Sequence, residues 1–511
     1  RRIKMIEKLL LRFPRKDHYL RDLAQAYAEL GEYAEFKEIP ETAEYGYRKS
    51  ILIYQELLSR YPDCKMYREE IAEGLVTLSL FLMRLRDSEV PYPLIHEASD
   101  YLGSLGGDCG VIYQRLCQRI TTAATNKPAL SHQARLFALQ KSLGENLIAK
   151  YGKTAKLLAV LAQTYLQAAR TYREFGYLHA AESHYRQTIL LLQELACSAP
   201  VNPLTKQFML RSCVELGELL AEQGRLAEAE AIVDAILWFV TTNLQTDGDH
   251  LVAHDRVILL RRLGHLLNLL GKYSLARDVF EMAIELVKSS GTLDSLSGWE
   301  LARIYHGLGS VFENQGLLHD AEAKYWKAIR IVEALSWPTD ANFRIELRHF
   351  QAELFLHLGG VCMRLGKLGN ALAAYYKATG IWTELVNQEQ VSRYLIHSLA
   401  KALGNLGVLL RRAGCHTDAE KSYSAALRLY AKLTYTYPHV SQYQHQLAGV
   451  CLNYGLLQIA QKNYEKAEYY LRLAVRLEHD LVERYPEVNM YRDRLMKTQQ
   501  ALQLYLIGRR R

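Results

Sequence analysis

Much that would mark an enzyme is missing from this sequence. The eight cysteines, at 64, 109, 117, 197, 213, 362, 415 and 451, form no Cys-x-x-Cys pair. That argues against a zinc ribbon or a dithiol redox motif and predicts reduced core thiols in a reducing, cytoplasmic setting. No apolar run approaches the roughly 20 residues of a membrane span. The longest, "LVTLSLFLM" at 75–83, reads as a buried helix segment. A kinase Gly-rich loop, His-Arg-Asp and Asp-Phe-Gly are all lacking. "YGKTAK" at 151–156 ends like a phosphate-binding loop, but position 147 is Leu where that loop needs Gly. Prolines number only 11, so long helices are permitted.

One sign of charge is in slight excess, and it sits at the ends. The net charge is +8, yet "RRIKMIEKLLLR" and the closing "RRR" hold most of it. The near-neutral interior argues against nucleic acid as the main partner. No nucleophile and base are paired by spacing, and His96, His132 and His184 read as surface or groove histidines. The expectation is therefore a non-catalytic chain with no cofactor and no metal.

What is present is periodic. "LLSRYPDCKMYREEIA" at 57–72 returns as "LVERYPEVNMYRDRLM" at 481–496. Small residues recur at Gly31, Ser79, Thr121, Ala169, Gly217, Gly264, Gly309, Gly359, Gly407 and Gly455, at intervals of 42 to 50 residues and most often 48. Each unit reads as two helices, with apolar residues at three- and four-residue steps. A helical glycine costs about 1 kcal/mol relative to Ala, so its repetition predicts close approach of two helix backbones. A second glycine, at 176, 224, 271, 316, 366 and 414, fits a helix stop. Alanines follow on the second helix, as at 321 and 328 or 419 and 426. The Tyr-Pro pairs end that helix, and Tyr67 and Tyr491 start the next. The phrase is expected to be a corner whose aromatic rings fill the joint between units.

With its Leu-Gly, Gly, Ala-Glu, Tyr, Ala and Pro positions, this unit resembles the tetratricopeptide repeat, in a long form like that of arrays from planctomycete-type bacteria. The resemblance implies an all-α, right-handed α-solenoid of about ten stacked helix-turn-helix repeats. It also implies a protein-interaction scaffold that takes a peptide along its first helices. Residues 1–511 are expected to form a single solenoid, with divergent repeats at 84–130, read as drift with a hinge near 86–110 as the alternative, and a capping helix at 488–508. The corner is also lost at "NLQTDGDH" and "SSGTLDSLSGW". The first residues match only the second half of a second helix. The natural protein is thus expected to be longer, with this chain as the interaction region of a bacterial signalling protein.

Positions around each anchor that share one helical face give Arg115, Arg170, Arg173, Arg211, Arg261, His265, Arg303 and His306. One reading is a groove for an acidic peptide or carboxylate terminus, because guanidinium pairs with carboxylate bidentately. The other is internal pairing with glutamates such as Glu174, Glu215 and Glu222. A helical-repeat nucleic-acid binder using the same arginines on phosphate is the alternative function.

Overall fold

The computed structural model describes residues 2–14, 16–86, 90–105, 108–124, 130–198, 203–243, 253–289, 295–335, 340–387, 392–486 and 488–510. Most of "NLQTDGDH", the middle of "SSGTLDSLSGW" and parts of 84–130 lie outside them. Every regular element among the described residues is a helix. In chain order these are α1 (Arg2–Arg12), α2 (Asp17–Phe36), α3 (Pro40–Arg60), α4 (Lys65–Arg86), α5 (Tyr92–Gly103), α6 (Cys109–Ala124), α7 (Leu130–Tyr151) and α8 (Ala155–Glu174). Then come α9 (Leu178–Ser198), α10 (Pro203–Glu222), α11 (Leu226–Asn243), α12 (Ala253–Leu269), α13 (Tyr273–Ser289), α14 (Ser295–Asn314) and α15 (Leu318–Ala334). The last seven are α16 (Ala341–Arg364), α17 (Leu368–Val386), α18 (Arg393–Arg412), α19 (His416–Thr436), α20 (Ser441–Ala460), α21 (Tyr464–Arg484) and α22 (Asn489–Arg510).

The ten small anchors fall in every second helix, from α2 to α20. What they accommodate differs from the sequence expectation. A Cβ built on Gly309, Gly359 or Gly407 would lie 2.6, 2.8 or 2.7 Å from the ring of Tyr325, Tyr375 or Tyr423. Gly31 meets Tyr47 and Gly264 meets Phe280 in the same way. The ring stands sixteen residues past the anchor in all five pairs. At these five anchors the glycine thus clears space for an aromatic side chain of the partner helix. At Gly31 the backbones also come close: a Cβ on Gly46 would lie 2.7 Å from the Tyr27 carbonyl oxygen and 2.8 and 3.0 Å from the Gly31 nitrogen and Cα. The alanines at 321, 328, 371, 378, 419 and 426 are fully buried and form the close side of their second helices.

The stop between paired helices is local chemistry. Gly316 has φ +79°, and the next amide, Leu317 N–H, donates back to Phe312 O at 2.9 Å, closing the last turn as a left-handed cap does. Lys462 occupies the same place after α20 at φ 63°, so a side chain there carries strain.

The corners follow the repeated phrase. Tyr61 and Tyr485 leave the helical region at φ −129° and −133°, and each is followed by proline. Their rings lie 6.3 and 6.1 Å from those of Tyr67 and Tyr491. Arg68 and Arg492 donate to the Pro62 and Pro486 carbonyls, each at 2.5 Å. Gly152, from the imperfect phosphate loop, sits in the turn between α7 and α8 at φ +86°.

The chain divides into two compact units. One comprises Arg1–Arg173 and His179–Ser212, the other Glu174–Leu178 and Cys213–Arg511. In the first, a continuous apolar core runs from Ala24 to Val160 and takes in most of the 75–83 run. In the second, paired helices α12–α13 through α20–α21 pack one after another, and α22 lies on α21 with Tyr505 OH donating to the Tyr464 carbonyl at 2.8 Å. Cys109, Cys117, Cys362 and Cys451 are buried thiols; Cys415 is exposed rather than in the core.

Candidate binding site

The face-sharing stripe falls partly in each unit. Arg115, Arg170, Arg173 and Arg211 belong to the first, and Arg261, His265, Arg303 and His306 to the second. In the first unit, Arg115 projects from α6 with its side chain 58% exposed while pairing with Glu69 and, at 3.4 Å, Glu73 of α4. Arg119, one turn on, reaches Glu32 at 3.7 Å and Glu73 at 3.6 Å. Glutamates of the early repeats thus neutralise arginines of the next. Arg170 and Arg173 are half-buried on α8, and Arg211 is exposed on α10.

In the second unit the four residues come together on α12 and α14. Arg261 is only 6% exposed, and its Nε donates to Glu300 Oε2 at 2.7 Å. Burial and the neighbouring Arg303 lower its pKa to about 10. An open-groove role for Arg261 is corrected accordingly: its charge is enclosed and spent on a buried carboxylate. Arg303 takes the other oxygen of Glu300 at 3.3 Å and lies 5.4 Å from the Trp299 ring, with about a third of its side chain exposed. Arg262, which the spacing did not single out, pairs with Glu215 at 2.7 Å and Glu218 at 3.2 Å.

The two histidines are not cations at neutral pH. His265 is half-buried, and burial, aided by Arg261, Arg303 and Arg262, drops its pKa to about 3. His306 is lowered well below the usual histidine range by burial, and then by His357, His265, Arg303 and Lys401. Its ring lies 6.4 Å from that of His265 and 5.0 Å from that of His357. His306 Nε2 is buried with no hydrogen-bond partner among the described residues. Farther along, Glu313 accepts from Tyr325 OH at 2.9 Å and pairs with Arg364 at 3.5 Å. Burial would raise its pKa, but the hydrogen bonds from His357 and Tyr325 and the Arg364 charge hold the carboxyl low.

The sequence missed Glu300, Arg262 and His357. Glu300 stands three residues before Arg303, a spacing that faces the two together. Its pairing with Arg261 crosses from α14 to α12 and has no sequence signature. His132 is another correction: it is buried at 5% exposure, not a surface residue, because α7 turns that face inward. His184 is half-buried on α9, its Nδ1 2.7 Å from the Ala180 carbonyl, and His96 is exposed. Among the described residues, the one group close enough to share a cation is the exposed His479, Asp480 and Glu483 on α21.

Residues 448–480, on α20 and α21, match the family model described as tetratricopeptide repeat. No curated protein matches the chain. Among solved structures, the chain is similar to a signal transduction ATPase with numerous domains carrying a tetratricopeptide repeat sensor, from Pyrococcus horikoshii. Identity is 11%, with 96% of this chain and 73% of that one covered, at a TM-score of 0.49. Yeast Tom70 is similar at 14% identity, covering 98% and 92%, with a TM-score of 0.40. A Rap protein solved with competence and sporulation factor gives 12% identity, 96% and 99% coverage, and a TM-score of 0.41.

Proposed function

From a chain whose residues 448–480 match the tetratricopeptide repeat and whose described elements are all helices, we propose a non-catalytic protein-interaction scaffold that binds an acidic protein segment along its first helices. The observation that carries this reading is the exposure of the arginine pairs. Arg115 is 58% exposed while bound to glutamates that are themselves 29% and 25% exposed. Such pairs are worth about 0–1 kcal/mol, so a partner's carboxylates can replace the internal ones at small cost. Arg303 offers a second accessible guanidinium, stacked and pre-oriented on Trp299. Bidentate geometry then favours carboxylate over a point contact.

The test is charge reversal. Arg115→Glu and Arg303→Glu, combined with Arg170→Glu, Arg173→Glu and Arg211→Glu, should abolish binding of short acidic peptides, followed by fluorescence anisotropy, while circular dichroism stays helical. Undiminished binding would remove the reading. Retention of single-stranded nucleic acid at moderate salt, with no affinity for acidic peptides, would replace it with phosphate recognition.

A further inference from the structure

The first unit contains a cleft that the arginine reading does not use. It has a volume of about 450 Å³ and is lined by five glutamines, Gln114 and Gln118 of α6, Gln140 of α7, and Gln163 and Gln167 of α8. Thr121, Thr164, Cys117 and Val160 complete the wall, so among the described residues the lining has no charged side chain. Burial pushes the Cys117 thiol up to about 12, which keeps it neutral as well. The size falls in the range of roughly 300–1,000 Å³ typical of ligand pockets.

A second compartment of about 220 Å³ shares Gln114, Val160 and Gln163 with the first. Its wall is mostly apolar, with Leu166, Leu192, Leu195 and Phe208, and among the described residues Lys156 is the one charged residue lining it. The two form one trough, amide-rich at one end and aliphatic at the other.

One atom in the polar compartment asks for a ligand. Gln140 is only 2% exposed, and its Nε2 donates to the Cys117 carbonyl at 2.9 Å and to Thr121 Oγ1 at 3.1 Å. With the amide thus oriented, its Oε1 is buried and has no hydrogen-bond partner among the described residues. A buried acceptor left unpaired costs about 1–3 kcal/mol, a penalty that a bound donor removes.

We infer that this trough is a binding site for an uncharged extended peptide segment, whose backbone amides pair with the glutamine carboxamides while an apolar side chain enters the adjoining compartment. A carboxamide offers a donor and an acceptor together, as a peptide group does. A ligand carboxylate or ammonium entering the polar compartment would lose water and meet no countercharge, which disfavours it. The same argument separates this site from the arginine stripe, whose ligand is acidic.

The full chain is titrated with short blocked peptides of Gln, Asn and Leu, with acidic and basic peptides of equal length, and with a neutral peptide N-methylated along its backbone. The neutral peptide should bind with little dependence on salt. The methylated copy should bind at least tenfold more weakly. Gln140→Leu should weaken binding about tenfold. Because that change also removes two internal hydrogen bonds, Gln163→Leu, at an exposed position, gives an independent and similar loss without altering the fold. Arg303→Glu, in the other unit, should leave neutral-peptide binding unchanged and so separates this site from the acidic one. No binding of the neutral peptide, equal binding of the charged ones, or indifference to both glutamine substitutions and to methylation would each overturn the proposal.

Discussion

The hairpins α14–α15, α16–α17 and α18–α19 close in one way, and the stretch from α5 to α7 closes in another. In the regular hairpins a first-helix glycine receives a buried tyrosine ring from the second helix. Between α6 and α7 the roles are exchanged: Tyr113 of α6 presses on Gly144 of α7, its hydroxyl 2.4 Å from where a Cβ would stand, and it donates to the Gln140 carbonyl at 2.9 Å. At the end of α5, Gly103 faces the Tyr151 ring of α7. What the crossing demands is one ring and one missing side chain; which helix supplies which is free. The exchange leaves the anchor as Thr121 and places Gln140 against it, and the amide-lined trough follows.

The sharpest way to break this comparison is to remove a ring. Tyr375 is 1% exposed, and Tyr375→Ala should cost about 3–5 kcal/mol locally. The loss should appear as faster hydrogen exchange in α16 and α17, a readout suited to a chain of two units that need not unfold as one. Little change there would show that the ring does not hold the crossing.

Adding a methyl tests the same contact from the other side. Gly359→Ala should destabilise by about 1–3 kcal/mol, because the Tyr375 ring has nowhere to go. Gly103→Ala should cost less, although its Cβ would stand only 1.6 Å from Tyr151 Cε2, since Tyr151 is 43% exposed and can swing out. Thermal unfolding of the two variants should rank them in that order. The reverse order would mean that distance outweighs freedom to move.

The histidine row separates the regions by pH. His265 and His306 have folded-state pKa values below their unfolded value, so below about pH 6.5 the unfolded chain binds more protons. Stability should therefore fall as pH drops from about 6.5 towards 4, by up to about 1.4 kcal/mol per pH unit for each histidine. Exchange in α14 should respond to acid before that in α6, which has no histidine. His306→Phe should flatten the slope. The smallest effect is expected at the turn after α20, where Lys462→Gly relieves a positive φ and should stabilise by roughly 0.5–1 kcal/mol, seen as a higher midpoint in urea.

Local features were the legible ones. The anchors, the turn glycines and the Tyr-Pro corners could be read because each rests on a backbone preference of a few neighbouring residues. The role of the anchor was read less well: small size was visible, but the ring that requires it lies sixteen residues away. Of the stripe, Arg115 and Arg303 are accessible, whereas Arg261 is enclosed by Glu300. Helical spacing places a residue on a face without saying what lies opposite.

The order of residues alone determined an all-helical chain of paired helices, where each pair turns and where its corners fall. Those outcomes depend on φ preferences, missing N–H groups and three- to four-residue periodicity, all of which act within a turn or two. Tertiary packing alone decided which arginines are enclosed, which histidines stay neutral and that five glutamines share one trough. Burial and charge pairing act between residues some forty positions apart, and the same side chain is a cation in water and a buried partner inside.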